Sequence, residues 1–193
     1  MKKVGITGGI GCGKSTVVKA FEQLGVASFV ADKVAASYYL DEVFLQEVRT
    51  LFGNQVFNAD GSVDKRAVAA RVFNDKEALA ALNALVHPRV MSDFDCFCRE
   101  HQDDSYVLFE SAILYDYGFD RLMDKVICVY LDLEERLRRL EERDGVDREA
   151  LLQRVANQMS AEEMMNRADY VVLNYEGNPR QRQVAYLDME LRR

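Results

Sequence analysis

Gly8-Gly9-Ile10-Gly11-Cys12-Gly13-Lys14-Ser15-Thr16 is the stretch of sequence that decides the fold. The apolar run Val4-Gly5-Ile6 precedes it, and a helical pattern of apolar residues follows it from Val17 to Leu24. This is the pattern G-x-x-x-x-G-K-[ST] between a strand and a helix, the setting in which it binds phosphates. Glycines allow a tight turn whose backbone N–H groups point inward, and the helix N-terminus adds partial positive charge. The sequence therefore predicts a loop that holds the phosphates of a nucleotide.

Three side chains of this loop can be assigned an expected role. We expect Lys14 to reach the outer phosphates and Ser15 to hold a magnesium ion. Cys12 has two interpretations, a thiolate favoured by Lys14 or a small neutral side chain, and we prefer the second. The predicted nucleotide-binding residues of the loop are Gly8, Gly9, Gly11, Cys12, Gly13, Lys14, Ser15 and Thr16.

The composition limits the class of protein. Of the 193 residues, 49% are hydrophobic, which is enough for the core of one compact domain over residues 1–193. The net charge of −7 argues against a broad nucleic-acid-binding surface, so we expect a small-molecule substrate and no nucleic-acid partner. No apolar stretch approaches the roughly 18 to 20 residues of a membrane-spanning helix. The four cysteines lack disulfide density. These features predict a cytoplasmic protein with free thiols and no membrane partner.

Five short β-type runs recur along the chain, with helical patterns between them. They cover residues 3–7, 28–31, 106–110, 125–131 and 170–173. Val107 to Phe109 and Val126 to Val129 are continuously apolar, as strands buried on both faces are. Strands that alternate with helices predict an α/β fold with a five-stranded parallel sheet flanked by helices.

A long segment between the second and third strands exceeds one crossover helix. Helical patterns near 41–52, 64–73 and 76–100 predict a helical insertion over approximately residues 36–101. Asp64 is expected to cap the helix that carries Lys65 and Arg66. Pro88 lacks an N–H, so the last of these helices should break or kink there.

An arginine-dense helix is predicted to start near Leu133. Arg136, Arg139 and Arg143 share one of its faces. A solvated face with interspersed glutamates is the common interpretation of such a charge run. Phosphoryl-transfer enzymes, however, supply arginines to the transferring group from a mobile lid. We therefore predict a lid over approximately residues 136–158, with Arg139 and Arg143 as its functional arginines.

Three acidic residues are candidates for the base that activates an acceptor hydroxyl. Asp32, Glu110 and Asp132 each follow a predicted strand, and ligands in open parallel sheets bind beyond the carboxyl ends of the strands. An acidic residue at the start of a helix is also a common cap, and Asp132 fits that description best. The residues alone do not rank the three candidates.

Together these segments resemble the dephospho-coenzyme A kinase family over nearly the whole chain. The matching segments are Thr7 to Thr16, Ala31-Asp32, Asp64-Lys65-Arg66, His87-Pro88, Glu110 to Leu114, Arg139 to Asp144, and Gln158. The family often has Asp-Ala-Asp where this chain has Val30-Ala31-Asp32, which leaves the third position intact. Its frequent Leu-Leu-Phe-Glu is here Ile113 to Asp116, which weakens any role for Asp116.

The resemblance implies a P-loop NTPase fold with a helical acceptor-binding insertion and an arginine-bearing lid. It also implies ATP- and Mg²⁺-dependent phosphorylation of the ribose 3′-hydroxyl of dephospho-coenzyme A, the last step of coenzyme A synthesis. The implied catalytic residues are Asp32 as the base, Lys14 and Arg139. Nucleotide phosphates would also contact Arg143, substrates would contact Thr7, Asp32, Arg66 and His87, and Ser15 would be the metal ligand. A helix-end hydrogen-bond donor is an equally good interpretation of His87.

Two other functions are compatible with the phosphate-binding loop. The first is another P-loop kinase that phosphorylates a nucleoside, a nucleotide or a metabolite alcohol. The second is a nucleotide-dependent switch, but switch GTPases usually carry Asp-x-x-Gly and Asn-Lys-x-Asp, and this chain contains neither pattern. The kinase interpretations are therefore favoured.

Overall fold

The structure is a computed structural model that describes residues 1–73 and 75–193. It contains two compact units. One unit comprises Met1–Val30 and Glu100–Arg193, and the other comprises Ala31–Arg99. No helix among the described residues is both long enough and apolar enough to span a bilayer.

A five-stranded sheet forms the centre of the first unit. Its strands are β1 (Lys2–Thr7), β2 (Ser28–Val30), β3 (Tyr106–Glu110), β4 (Lys125–Tyr130) and β5 (Tyr170–Leu173). The spatial order is β2-β3-β1-β4-β5, and every neighbouring pair is parallel. All five predicted strands are confirmed, and their bounds differ from the prediction by at most one residue. Since the strands are parallel, all carboxyl ends lie at one edge of the sheet.

Nine helices are assigned within the described residues. They are α1 (Lys14–Glu22), α2 (Ala31–Ser37), α3 (Glu42–Phe52), α4 (Lys65–Phe73), α5 (Lys76–Glu100), α6 (Leu133–Asp144), α7 (Arg148–Ala156), α8 (Ala161–Arg167) and α9 (Arg180–Leu191). Short 3₁₀ turns occur at Tyr38–Leu40, Asn54–Val56 and Phe119–Leu122.

The main core of the first unit lies between the sheet and helices α1 and α9. Ile6 of β1 and Phe21 of α1 are fully buried in it, and Val184 of α9 belongs to the same cluster. The rings of Phe21 and Tyr106 meet edge to face with their centroids 6.5 Å apart. This packing fixes the start of α1, and hence the loop before it, relative to the sheet.

The second unit is helical and has its own core. Phe44, Val48 and Phe52 of α3 pack with Val68 of α4 and Ala78 of α5.

Carboxylates cap three of the helices in this unit, and the cap of α5 is Asp75, which accepts from the N–H of Ala78 over 2.9 Å. The N–H of Phe44 donates to Asp41 over 2.8 Å at the start of α3. As predicted, Asp64 precedes α4 and accepts from the N–H groups of Arg66 (2.9 Å) and Ala67 (3.2 Å).

Helix α5 continues through Pro88, so the helix does not break at this position. A proline removes one backbone donor and crowds the carbonyls of the preceding turn. The guanidinium of Arg89 donates to the carbonyl of Leu85 over 2.8 Å, which gives a carbonyl in that turn an additional donor. Packing of Val90 and Phe94, both buried, keeps the chain helical beyond the proline.

Candidate active site

The phosphate-binding loop connects β1 to α1, as predicted. Gly8, Gly11 and Gly13 have φ values of 149°, 82° and 87°, which side-chain-bearing residues rarely adopt. Gly13 is also restricted by its surroundings, because a Cβ there would lie 2.2 Å from Nδ2 of Asn174. The sequence pattern therefore reflects both backbone conformation and close packing.

The backbone N–H groups of the loop fall into two sets. The N–H of Cys12 donates to Gly9 over 3.1 Å, and the N–H of Ile10 donates to Oε1 of Gln158 over 2.9 Å. Among residues 1–73 and 75–193, no acceptor contacts the N–H groups at positions 11, 13 and 15, whereas the backbone N–H of Lys14 donates to the Cys12 sulfur. Three closely spaced backbone donors at a helix N-terminus form an anion-binding site. The Nζ of Lys14 donates to the carbonyl of Gly8 over 2.8 Å, which places this ammonium group beside the same loop.

Two side chains from the C-terminal half of the chain orient the loop carbonyls. The Nε of Arg136 donates to the carbonyl of Ile10 over 2.8 Å, and Nδ2 of Asn174 donates to that of Cys12 over 2.7 Å. In a planar trans peptide the N–H points opposite to the carbonyl of the same unit. The hydrogen bonds to these two carbonyls therefore turn the N–H groups of Gly11 and Gly13 away from Arg136 and Asn174.

The side chain of Asn174 is itself held in place by a neighbour. Its side chain is buried, and Nε of Arg180 donates to its Oδ1 over 2.7 Å. Sequence reasoning missed Arg136, Asn174 and Arg180 as parts of this site. The available signal for Asn174 was its position after β5, since polar residues at the carboxyl ends of parallel strands reach the ligand edge of the sheet.

Arg139 lies beside the loop. Its Nη2 donates to the carbonyl of Asn174 over 3.3 Å, and its Nε donates to Glu135 over 2.8 Å. The bonds from Arg138 and Arg139 lower the pKa of the Glu135 carboxyl to about 2. The carboxylate is therefore charged at neutral pH and holds Arg139 in a defined position.

Arg143 is directed elsewhere. Its Nε and Nη2 donate to the two carboxylate oxygens of Asp144 over 2.7 Å and 2.9 Å, and its side chain is 66% exposed. The structure thus brings Arg139 to the loop and leaves Arg143 on the surface. Leu137, Leu140 and Leu151 form a buried cluster that joins α6 to α7 within residues 136–158.

The hydroxyl-bearing residues of the site differ in burial. Ser15 and Thr16 are exposed at the start of α1. Thr7, the last residue of β1, is buried, and its Oγ1 has no hydrogen-bond partner among the described residues. A buried hydroxyl without a partner is costly, so this group is suited to contact a ligand.

The three candidate bases have different environments. Asp132 caps α6 by accepting from the N–H of Glu135 over 3.0 Å, which confirms the capping interpretation. Glu110 is the buried last residue of β3. Asp32 is exposed and lies in the first turn of α2, two residues after β2 ends.

Arg66 and His87 belong to the helical unit. Arg66 is exposed on α4, whereas His87 is half-buried on α5, and burial lowers the pKa of its imidazole.

The four cysteines are free thiols, as expected. Burial raises the pKa of the Cys12 thiol despite the nearby Lys14, which supports the neutral interpretation of this residue.

Comparison with known proteins gives one consistent family. The family model for dephospho-CoA kinase matches residues 2–179. A protein from Fusobacterium nucleatum named dephospho-CoA kinase is 34% identical to this chain, and the alignment covers 89% of this chain and 88% of that protein.

Two solved structures are similar over nearly the whole chain. TT1252 from Thermus thermophilus superposes with a TM-score of 0.86 at 32% identity, covering 98% of this chain and 96% of that one. A dephospho-CoA kinase from Campylobacter jejuni has a TM-score of 0.64 at 25% identity, with coverage of 98% and 97%.

Proposed function

The chain belongs to the dephospho-CoA kinase family, and we propose that it catalyses that family's reaction with ATP held in the loop around Lys14. It is a kinase that uses ATP to phosphorylate dephospho-CoA in coenzyme A synthesis. The ribose 3′-hydroxyl is the proposed acceptor. Because the reaction consumes ATP, we place the enzyme in the cytoplasm.

The loop binds the phosphates of ATP through its backbone. The three N–H groups at positions 11, 13 and 15, which have no acceptor among the described residues, support this assignment, since backbone donors in a folded protein need partners. The nucleotide-binding residues are those predicted from the sequence, Gly8 to Thr16 without Ile10. Lys14 exchanges its bond to the Gly8 carbonyl for one to the outer phosphates as the nucleotide binds. Charge developing on the transferring group is then stabilised by donors that are already in place.

Mg²⁺ is the proposed metal. This ion usually keeps several waters and binds through one or two protein oxygens together with substrate phosphates. The exposed hydroxyl of Ser15, at the N-terminus of α1, fits such a site. When bound, the ion neutralises phosphate charge and orients the phosphates for transfer. Thr7 lies one residue before the loop, and its buried hydroxyl fits a contact with the phosphate or with water on the metal.

Arg139 and Arg143 are the proposed arginines of the lid. Arg139 stabilises the transferring phosphoryl group from beside the loop. Arg143 must leave Asp144 to contact nucleotide phosphates, which requires movement within residues 136–158. Gly145, with a φ of 61°, ends α6 directly after this pair and permits such a change.

Asp32 is the proposed base. Its exposed carboxylate accepts the proton of the 3′-hydroxyl as that oxygen attacks the γ-phosphorus and ADP leaves. The helical unit supplies the acceptor contacts, with exposed Arg66 suited to an anionic group and neutral His87 suited to a hydrogen bond. Glu110 is the alternative base.

The reaction is tested with purified protein, ATP, Mg²⁺ and a panel of acceptor alcohols that includes dephospho-CoA, nucleosides and nucleotides. We expect coenzyme A as the product, with the new phosphate on the 3′-oxygen, identified by mass spectrometry and ³¹P NMR. Turnover of another alcohol without turnover of dephospho-CoA would instead assign the chain to a different small-molecule kinase activity.

A further inference from the structure

Arg136 is a buried arginine directly behind the phosphate-binding loop. It lies on α6 and is only 4% exposed, and the one described hydrogen bond of its side chain is from Nε to the carbonyl of Ile10, over 2.8 Å. A Cβ on Gly9 would lie 2.6 Å from Cζ and Nη2 of this guanidinium. The group therefore packs against the loop backbone at a position that only glycine leaves open.

The charge of Arg136 has no carboxylate partner among the described residues. The other arginines of α6 differ, because Arg138 and Arg139 pair with Glu135, and Arg143 pairs with Asp144. Burying a charge without a partner is unfavourable, so a positive group in this position calls for an anion. Burial lowers the pKa of Arg136, but a guanidinium starts from so high a value that it stays protonated.

We propose that Arg136 is a positioning residue for the loop and an electrostatic partner of the nucleotide's phosphates. This inference rests on the proposed binding of ATP at the loop. The bond to the Ile10 carbonyl turns the N–H of Gly11, one of the three available donors, away from Arg136 and leaves it free for an anion. The charge acts through the loop over a short distance with little intervening water, where screening is weak. ATP thus supplies the anion that the folded protein lacks.

Two substitutions separate the charge from the hydrogen bond. Arg136→Gln keeps a side-chain donor and removes the charge, whereas Arg136→Lys keeps the charge in a smaller group. Arg193→Gln is the control, because it changes the net charge equally at an exposed residue that pairs with Glu190. The control residue is also remote from the loop. Nζ of Lys2, at the amino end of β1, donates to the carbonyl of Leu191, so the C-terminal residues lie at the edge of the sheet opposite the loop.

The measurement is the dissociation constant of ATP, ADP and AMP for each purified variant, together with its thermal unfolding. We expect Arg136→Gln to weaken the binding of ATP by about tenfold, that of ADP less and that of AMP least, because the electrostatic effect increases with the negative charge of the ligand. Arg136→Lys should retain most of the affinity, and Arg193→Gln should match the unsubstituted protein.

Several outcomes would overturn the proposal. Equal loss for all three nucleotides would assign Arg136 a packing role only, and unchanged ATP affinity would remove it from the site. If Arg136→Gln does not fold, the same comparison is made with Arg136→Lys and Arg136→Met. A loss of affinity that is equal for ATP, ADP and AMP would again contradict the proposal. Failure of the unsubstituted protein to bind ATP would refute the proposed function itself. The experiment therefore distinguishes failure of the proposed function from failure of the role assigned to Arg136.

Discussion

At the scale of the residue, Lys14 carries the charge that we propose to stabilise phosphoryl transfer at the loop. Its ammonium group lies 2.8 Å from the Gly8 carbonyl and needs only to exchange that weak partner for phosphate. We predict that Lys14→Ala lowers kcat/KM for ATP by about a hundredfold or more, equivalent to about 3 kcal/mol of transition-state stabilisation. Steady-state kinetics measure this. Lys19→Ala, an exposed lysine on the same helix, should have little effect, and similar losses in both variants would contradict the role of Lys14.

Asp32 tests the identity of the base. Asparagine keeps the shape of the side chain and removes its proton-accepting charge, so Asp32→Asn should lower kcat by about 10²- to 10⁴-fold. Binding of ATP, measured by calorimetry, should be unchanged because the carboxylate is not part of the loop.

The matched substitution for this test is Glu110→Gln, at the end of the neighbouring strand β3. If Asp32→Asn turns over normally while Glu110→Gln is inactive, Glu110 is the base. Loss of ATP binding in Asp32→Asn would show that its charge serves the nucleotide site.

Local residue patterns predicted local contacts well. Asp64 and Asp132 were expected to cap helices, and each accepts from an N–H two or three residues later. Asn174 and Arg136 bind loop carbonyls that are 162 and 126 residues away in the chain. No spacing rule connects such pairs, because only the finished sheet brings them together.

At the scale of the element, the loop depends on Asn174 at the end of β5. We predict that Asn174→Ala weakens ATP binding by about tenfold, since it frees the Cys12 carbonyl and with it the orientation of the Gly13 N–H. Gln183→Ala is the control, because that amide bridges the N–H and carbonyl of Leu173 on the same strand.

Calorimetric titration with ATP and thermal unfolding of both variants provide the measurement. Both substitutions should lower stability, because each removes hydrogen bonds near the end of β5. Only Asn174→Ala should also lower affinity. Equal affinities in the two variants would mean that Asn174 supports the fold and not the loop conformation.

Helix α5 carries a pH-dependent contribution to stability at His87. Burial lowers the pKa of His87 in the folded state, so the unfolded chain binds the extra proton near its usual pKa of about 6.5. Stability from this group is therefore present above about pH 6.5 and is lost as the pH falls below it.

We predict that His87→Asn reduces the loss of melting temperature between pH 7.5 and about pH 5.5. The control is His101→Asn, which changes the other histidine, whose ring contacts Asp104. Thermal unfolding at both pH values measures the effect. An unchanged pH dependence in His87→Asn would exclude His87 as its source.

The elements themselves were largely predictable, for a physical reason. Buried parallel strands read as short continuous apolar runs, and the five runs became the five strands. A break or kink was expected at Pro88, and the break was wrong: local chemistry disfavours proline inside a helix, but packing of the flanking residues keeps α5 helical. Packing overrides propensity where the flanking residues are buried.

At the scale of the whole molecule, the chain divides its contacts between two units. The residues 31–99 form a contiguous helical unit, and the flanking segments together build the sheet and the loop. A large insertion between two strands was evident from the length of the segment, but which of its side chains contact the acceptor was not. If the helical unit serves the acceptor and the sheet unit serves ATP, substitutions in the two units should alter different Michaelis constants.

Arg66 provides the test of this division. It is an exposed cation on α4 without an ion pair among the described residues, and the pantetheine-linked phosphates of the acceptor are anionic groups that an arginine can bind. We predict that Arg66→Ala raises KM for dephospho-CoA by about tenfold and leaves KM for ATP unchanged. The control is Arg71→Ala on the same helix, where the arginine is paired with Asp75, and both constants should stay unchanged there. Steady-state kinetics with each substrate varied in turn distinguishes the cases. A raised KM for ATP in Arg66→Ala, or equal effects of the two substitutions, would mean that the helical unit does not recognise the acceptor through this residue.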